Sequence, residues 1–167
     1  MTGIEADVSK RFSVREMRPA DIPETFEVRF STAENAVTAE YLEAQYGITP
    51  TTLERAMAAG VRGWVGIVSG RIVGYAMGAP KTGEVLVVAV RPEFEGRGIG
   101  DAVLSRVRDW LFDIGHGQIW LGSNPDPAIR ATRFYRERGW RANGEAKGED
   151  IVLTLRRRNA SSTLTEG

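Results

Sequence analysis

Three glycines at alternate positions, Gly96, Gly98 and Gly100, lie between an apolar run at residues 84–90 and a stretch of helical periodicity that starts at Gly98. With no side chains in the way, several backbone N–H groups can converge on one anion, and the positive end of the following helix adds to the attraction. A phosphate or pyrophosphate is the natural guest. No Gly-Lys-Ser/Thr follows, so the loop is not a Walker A sequence, and Gly-x-Gly-x-Gly lacks the third spacing of the dinucleotide fingerprint. Nucleotide hydrolysis and hydride transfer both lose weight. On glycine content alone, a tight strand-to-helix turn without a ligand is an equally good reading.

Few other residues offer chemistry. The chain has no cysteine, which removes disulfides, thiolate metal sites and a cysteine nucleophile together. Its single histidine, His116, stands between two glycines, where a solvated loop residue is expected; no metal is expected either. Trp64, Trp110, Trp120 and Trp140 fall on predicted strands or a helix and read as core, and the run 156–158 of arginines as a solvated end. Lysine plus arginine equals aspartate plus glutamate at 22 each, so no net field draws the molecule to nucleic acid or an anionic membrane. Any anion site must be local. No run approaches the ~18 apolar residues that span a bilayer, and residues 1–10 carry Glu5 and Asp7 rather than a signal-like apolar stretch. A cytoplasmic protein is expected.

The elements that must hold the glycine loop follow from periodicity. Residues 12–17 alternate like a half-buried strand and stop at Arg18-Pro19. Asp21 can cap a helix with Glu24 three residues on, and a second helix starts near Thr51 or Thr52; residues 31–49 are ambiguous. Residues 64–68 and 72–77, joined through Gly70, read as a hairpin. Residues 84–90 suit a central strand covered on both faces, ended by Arg91-Pro92. From Gly98 the positions Ile99, Val103, Leu104, Val107 and Leu111 make the apolar stripe of a helix. Residues 118–121 read as a strand, 128–138 as a helix closed by Gly139, and 150–155 as a last strand.

The segment Glu95-Gly96-Arg97-Gly98-Ile99-Gly100 after a buried strand resembles the Arg/Gln-x-x-Gly-x-Gly/Ala signature of the GCN5-related N-acetyltransferase (GNAT) superfamily. The late helix Phe134-Tyr135-Arg-Glu-Arg-Gly139-Trp140 is similar to that superfamily's Phe-Tyr-x-x-x-Gly-Phe ending. Together with the order of elements, the resemblance covers residues 12–155. It implies a mixed α/β (α+β) domain at 11–157, with a largely antiparallel sheet splayed at its centre and helices on both faces. Residues 1–10 and 158–167 are expected to be flexible ends.

The resemblance also implies an activity, the direct transfer of acetyl from acetyl-coenzyme A to a primary amine. The backbone of Val88, Ala89 and Val90 is expected to pair with the pantetheine arm. Gly96, Arg97, Gly98, Ile99, Gly100 and Asp101 are expected to wrap the pyrophosphate. Tyr135 resembles the family's general acid, and a phenol with pKa near ~10 stays protonated at neutral pH. Glu84 resembles the general base of the histone acetyltransferase branch, although an ordinary strand-end carboxylate fits it as well. The acceptor pocket falls at about residues 26–48, where Glu34, Asn35 and Tyr41 are substrate-binding candidates. Two positions depart from the family pattern: Glu95 replaces Arg or Gln, and Ala128 an Asn. Glu95 is therefore expected to point to solvent while Arg97 supplies positive charge, and Asn124 reads as a turn residue. The expected partners are acetyl-coenzyme A and an amine, a small molecule ahead of a peptide; no nucleic acid or membrane is expected, and a homodimer stays open. The competing reading is an acyl-coenzyme A binding sensor without turnover.

Overall fold

In the computed structural model, which describes residues 11–32, 38–126 and 128–158, strand-forming segments gather into one sheet. The strands are β1 (Ser13–Glu16), β2 (Arg62–Val68), β3 (Arg71–Ala79), β4 (Glu84–Val90), β5 (Gln118–Ser123), β6 (Arg141–Lys147) and β7 (Asp150–Arg156). They lie in the order β1-β2-β3-β4-β5-β7-β6, antiparallel throughout except for β4 beside β5. The helices are α1 (Ile22–Phe30), α2 (Ala39–Tyr46), α3 (Pro50–Ala58), α4 (Ile99–Asp113) and α5 (Arg130–Glu137). None of the described helices is long and apolar enough to cross a membrane.

Two apolar clusters, one on each face, hold the sheet. Val103, Val107 and Leu111 of α4 pack with Trp64, Ile119, Leu153, Tyr135 and Trp140 on one side. On the other, Ile22 and Val28 of α1 pack with Val65, Tyr75, Met77 and Ala89, against which Leu53 and Met57 of α3 also lie. Helix α4 comes close to β2 and β3 because glycines lie beneath it. A Cβ added at Gly66 or Gly74 would sit 2.7 or 2.8 Å from Ile99 Cγ2, and one at Gly78 2.7 Å from Val107 Cγ1. The hairpin between β2 and β3 turns on Ser69 and Gly70, both at positive φ (50° and 78°), which matches the twist of paired strands.

Local signals did not all resolve as expected. Asp21 makes no cap to α1; it accepts two bonds from the Arg15 guanidinium, at 2.7 and 2.9 Å, and one from the Arg18 N–H. Glu24 reaches β3 instead, accepting the Ile72 N–H at 2.6 Å. The capping box belongs to α3, where Thr49 and Thr52 satisfy each other's backbone N–H. Strand β6 has no counterpart among the expected elements. Its residues are all exposed, it lacks β-branched side chains, and Gly144 breaks its register at φ 89°. An edge strand with nothing to bury leaves no alternation to read. His116 is not a solvated loop residue: it is half-buried, and its Nε2 donates to the Pro80 carbonyl at 2.6 Å, tying the β3–β4 turn to the start of β5.

Candidate active site

The sheet opens between β4 and β5. These parallel strands share one register pair, Glu84 with Trp120, and the Trp120 N–H donates to the Gly83 carbonyl at 3.1 Å. Beyond that rung, β4 keeps only its β3 partner. The Arg91 N–H donates to the Val73 carbonyl at 2.8 Å, and antiparallel pairing alternates, so Ala89 and Val87 spend their backbone groups on β3. The N–H and C=O of Val88 and Val90 therefore face the open side. Leu86 is 38% exposed although its strand is central. Of the three residues expected to meet a pantetheine arm, Val88 and Val90 offer free backbone, while Ala89 turns its side chain into the core.

The open edge leads into the glycine loop. After a 3-10 turn at Pro92–Phe94, Gly96 and Gly98 adopt φ of 78° and 87°, a region that other residues enter only with strain. A Cβ on Gly98 would meet no atom within 4 Å, and one on Gly96 only the Arg130 guanidinium at 3.9 Å. These glycines are required by backbone conformation, and they leave open space above the loop. Gly98 is the N-cap of α4 and no side chain caps the helix. The first intrahelical bond runs from the Ala102 N–H to the Gly98 carbonyl, which leaves the N–H groups of Ile99, Gly100 and Asp101 outside the helical ladder. Three donors at a positive helix end are what an anion needs.

Charge around the loop is arranged from α5. Glu95 is exposed, as expected, and its carboxylate also pairs with Arg130 Nη1 at 3.0 Å, at the first residue of α5. Asp101 pairs with Arg138 Nε at 2.7 Å, and that guanidinium lies 3.7 Å from the centre of the Phe134 ring. Arg97 stacks over Phe94 at 5.0 Å. Both carboxylates nearest the expected anion are thus neutralised by arginine. Asn124 is a turn residue, its Oδ1 accepting the Asp126 N–H at 2.9 Å.

Tyr135 is 8% exposed and packs edge-on against Phe134 and Trp140, at 5.4 and 6.0 Å between ring centres. Burial pushes its phenol pKa well up, and the Arg29 guanidinium opposes the shift. The phenol is fully protonated at neutral pH. Arg29, in the last turn of α1, also faces the buried Tyr75 hydroxyl, whose pKa rises by burial and is likewise drawn back by the arginine. Arg29 lies on α1, whose apolar residues pack on one face of the sheet, and Tyr135 belongs to the cluster on the other. Sequence reading passed over Arg29, because helical periodicity marks only Ile22, Thr25 and Val28 as inward.

Glu84 stands at the closed end of the opening, its side chain 13% exposed and ion-paired with Lys147 of β6. The same ammonium lies 5.2 Å from the centre of the Trp120 ring, whose indole N–H donates to the Thr82 carbonyl at 3.1 Å. Asp150, raised by burial and lowered by Lys147, lies nearby. Of the acceptor candidates, Glu34 and Asn35 lie outside the described residues. Tyr41 is 45% exposed and meets Tyr46 edge-on at 6.1 Å. Burial pushes the Tyr46 phenol pKa up, with Tyr41 and Asp150 adding to the rise and Arg29 opposing it.

Comparison with known proteins agrees with this architecture. The profile of the Acetyltransferase (GNAT) family matches residues 23–140. An uncharacterized N-acetyltransferase of Methanocaldococcus jannaschii is 29% identical over 109 residues, 60% of this chain and 70% of that protein. One of Mycobacterium tuberculosis is 37% identical over 78 residues, 45% of this chain; the match spans about half of that relative's length, 49%. Among solved structures, the PaiA N-acetyltransferase of Thermoplasma acidophilum, crystallised with coenzyme A, superposes with a TM-score of 0.74 at 15% identity, covering 88% of this chain and 99% of that one. A GNAT acetyltransferase of Staphylococcus aureus gives 0.70 at 17% identity, covering 89% and 100%. These two structures share the fold. The profile match covers well over half of the sequence, and the chain belongs to the acetyltransferase (GNAT) family.

Proposed function

We propose that this protein transfers acetyl from acetyl-coenzyme A directly to a primary amine, without a covalent enzyme intermediate. One observation carries the reading: the unpaired edge of β4 runs straight into three unsatisfied N–H groups at the mouth of α4. The open space above Gly98 and the positive φ of Gly96 and Gly98 fit a diphosphate. Gly96, Arg97, Gly98, Ile99, Gly100 and Asp101 would hold it, and Val88 and Val90 would pair with the arm. When bound, acetyl-coenzyme A supplies an activated acetyl thioester.

The rest is done by the chain's own groups. Tyr135, kept protonated by burial, donates a hydrogen bond or a proton at the sulfur end. A thiol of pKa around ~8.5 already leaves fairly easily, so this help is moderate. Glu84 accepts a proton from the amine, and the buried surroundings of Tyr135 and Trp140 exclude water. The acceptor enters past Tyr41 and Tyr46, and a small-molecule amine is expected ahead of a protein amino group. The decisive experiment combines calorimetry with coenzyme A and thioester turnover against a panel of amines. Micromolar binding with turnover on at least one amine is expected. Binding without turnover across a broad panel would establish a sensor instead, and no binding at millimolar coenzyme A would end the proposal.

A further inference from the structure

Lys147 stands where the acyl group should arrive. The diphosphate grip lies beyond Val90, so an arm laid back along β4 runs about 20 Å towards Glu84 at ~3.3 Å per residue. At that end the Lys147 ammonium is held on the Glu84 carboxylate and over the Trp120 ring. Its side chain reaches there by crossing β5 at Gly122: a Cβ on that glycine would lie 3.6 Å from Lys147 Cδ. The lysine stem thus lies in van der Waals reach of the strand at Gly122, beside Asp150.

The residue type is informative as well. Of the 22 basic residues, only Lys10, Lys81 and Lys147 are lysines. An arginine would bridge Glu84 and stack on Trp120 at least as well, but a guanidinium stays charged and is no nucleophile. A lysine can surrender a proton to the carboxylate beside it.

We infer that Lys147 is an intramolecular acetyl acceptor, modified by the protein's own active site. The inference rests on the acetyltransferase reading above. Lys147 first passes one proton to Glu84. Its neutral nitrogen then forms a bond to the acetyl carbonyl carbon as the carbon–sulfur bond breaks. Of the three ammonium protons, one stays on the amide nitrogen, one ends on the departing thiol, and one leaves through Glu84 to solvent. Acetylation removes the charge, and with it the ion pair and the cation–π contact. The Glu84 carboxylate is then free for an amine from outside. The side chain of Lys147 is 46% exposed in the resting protein, so nothing bars its modification.

The test is to incubate the purified protein with isotopically labelled acetyl-coenzyme A, map acetylated peptides by mass, and follow coenzyme A binding by calorimetry. One acetyl group per chain is expected on Lys147, with a first-order rate that does not change on tenfold dilution and a signal that disappears in Lys147→Arg. Before any coenzyme is added, the Trp120 indole resonance should shift in Lys147→Gln and hold its place in Lys147→Arg. Coenzyme A binding without label at Lys147 would overturn the inference alone. So would equal labelling of Lys81, a rate proportional to protein concentration, or an unmoved Trp120 resonance. Absence of coenzyme A binding would bring down the acetyltransferase reading and this inference together.

Discussion

The two walls of the opening between β4 and β5 are built on different principles. The β4 wall is backbone: a strand edge with no neighbour, two glycines at positive φ, and a helix end without a cap. The β5–β7 wall is side chains: Trp120, Lys147, Asp150, the α5 residues Arg130 and Tyr135, and Arg138 just past the end of α5, brought together from distant parts of the chain. Strands β3–β4 and β5–β7 are each joined by six register pairs, whereas β4 and β5 share one. Two well-knit halves meet at a single rung, and the contrast assigns them different work. On the proposed reading the first half would hold the coenzyme and place Glu84, and the second would bring Tyr135 and Lys147 to it.

That division can be broken experimentally, and the largest effect should come from the side-chain wall. Tyr135→Phe is expected to lower the maximal rate roughly 100-fold while leaving coenzyme A affinity unchanged, measured by steady-state kinetics and calorimetry. An unchanged rate would take catalysis away from that wall. Gly74→Ala sets a methyl against Ile99 Cγ2 at 2.8 Å and should destabilise the fold by about 2 kcal/mol, as overpacking does; denaturant unfolding would show it. Gly98→Val, by contrast, meets no neighbour but must hold φ near 87°. It is expected to weaken coenzyme A binding about tenfold, or ~1.4 kcal/mol, with turnover of bound coenzyme little affected.

A smaller effect sharpens the contrast in electrostatics. Arg15 holds the Asp21 carboxyl below the usual range, whereas burial raises Asp150. The charged form of Asp21 is favoured by folding, so its contribution is present above the ordinary carboxylate pKa and is lost as pH falls through the lower folded value. Asp21→Asn should therefore cost about 1 kcal/mol at neutral pH, and the gap from the parent protein should close in acid. Asp150 has the opposite sign: its charge disfavours the folded state above the raised pKa. Asp150→Asn should leave stability equal or slightly higher at neutral pH, with the difference vanishing on acidification. Urea titrations at a series of pH values would check both.

The backbone wall was also the legible one. An apolar run, a glycine cluster and a 3.6-residue stripe are local patterns, and β4, the loop and α4 follow them within a residue or so. The Phe134-Tyr135 pair was legible through resemblance. What stayed hidden depends on partners far away in sequence. Nothing near Glu95 announces that Arg130 will neutralise it, and nothing near Glu84 announces Lys147, 63 positions on. Arg29 lies off the apolar stripe of its helix, and the Tyr75 and Tyr135 phenols that it influences lie far away in sequence. Strand β6 was hidden for another reason, since a wholly exposed edge carries no burial pattern.

The glycines under α4 have a consequence for ligand capture. Because Ile99 and Val107 rest directly on Gly66, Gly74 and Gly78, the first turn of α4 is wedged in position by the sheet before anything arrives. The amides at its tip are therefore preorganised, and a diphosphate bound there, as proposed, would not need to freeze a floppy loop. The entropic cost of ordering, which commonly consumes much of the gross contact energy, was met when the chain folded.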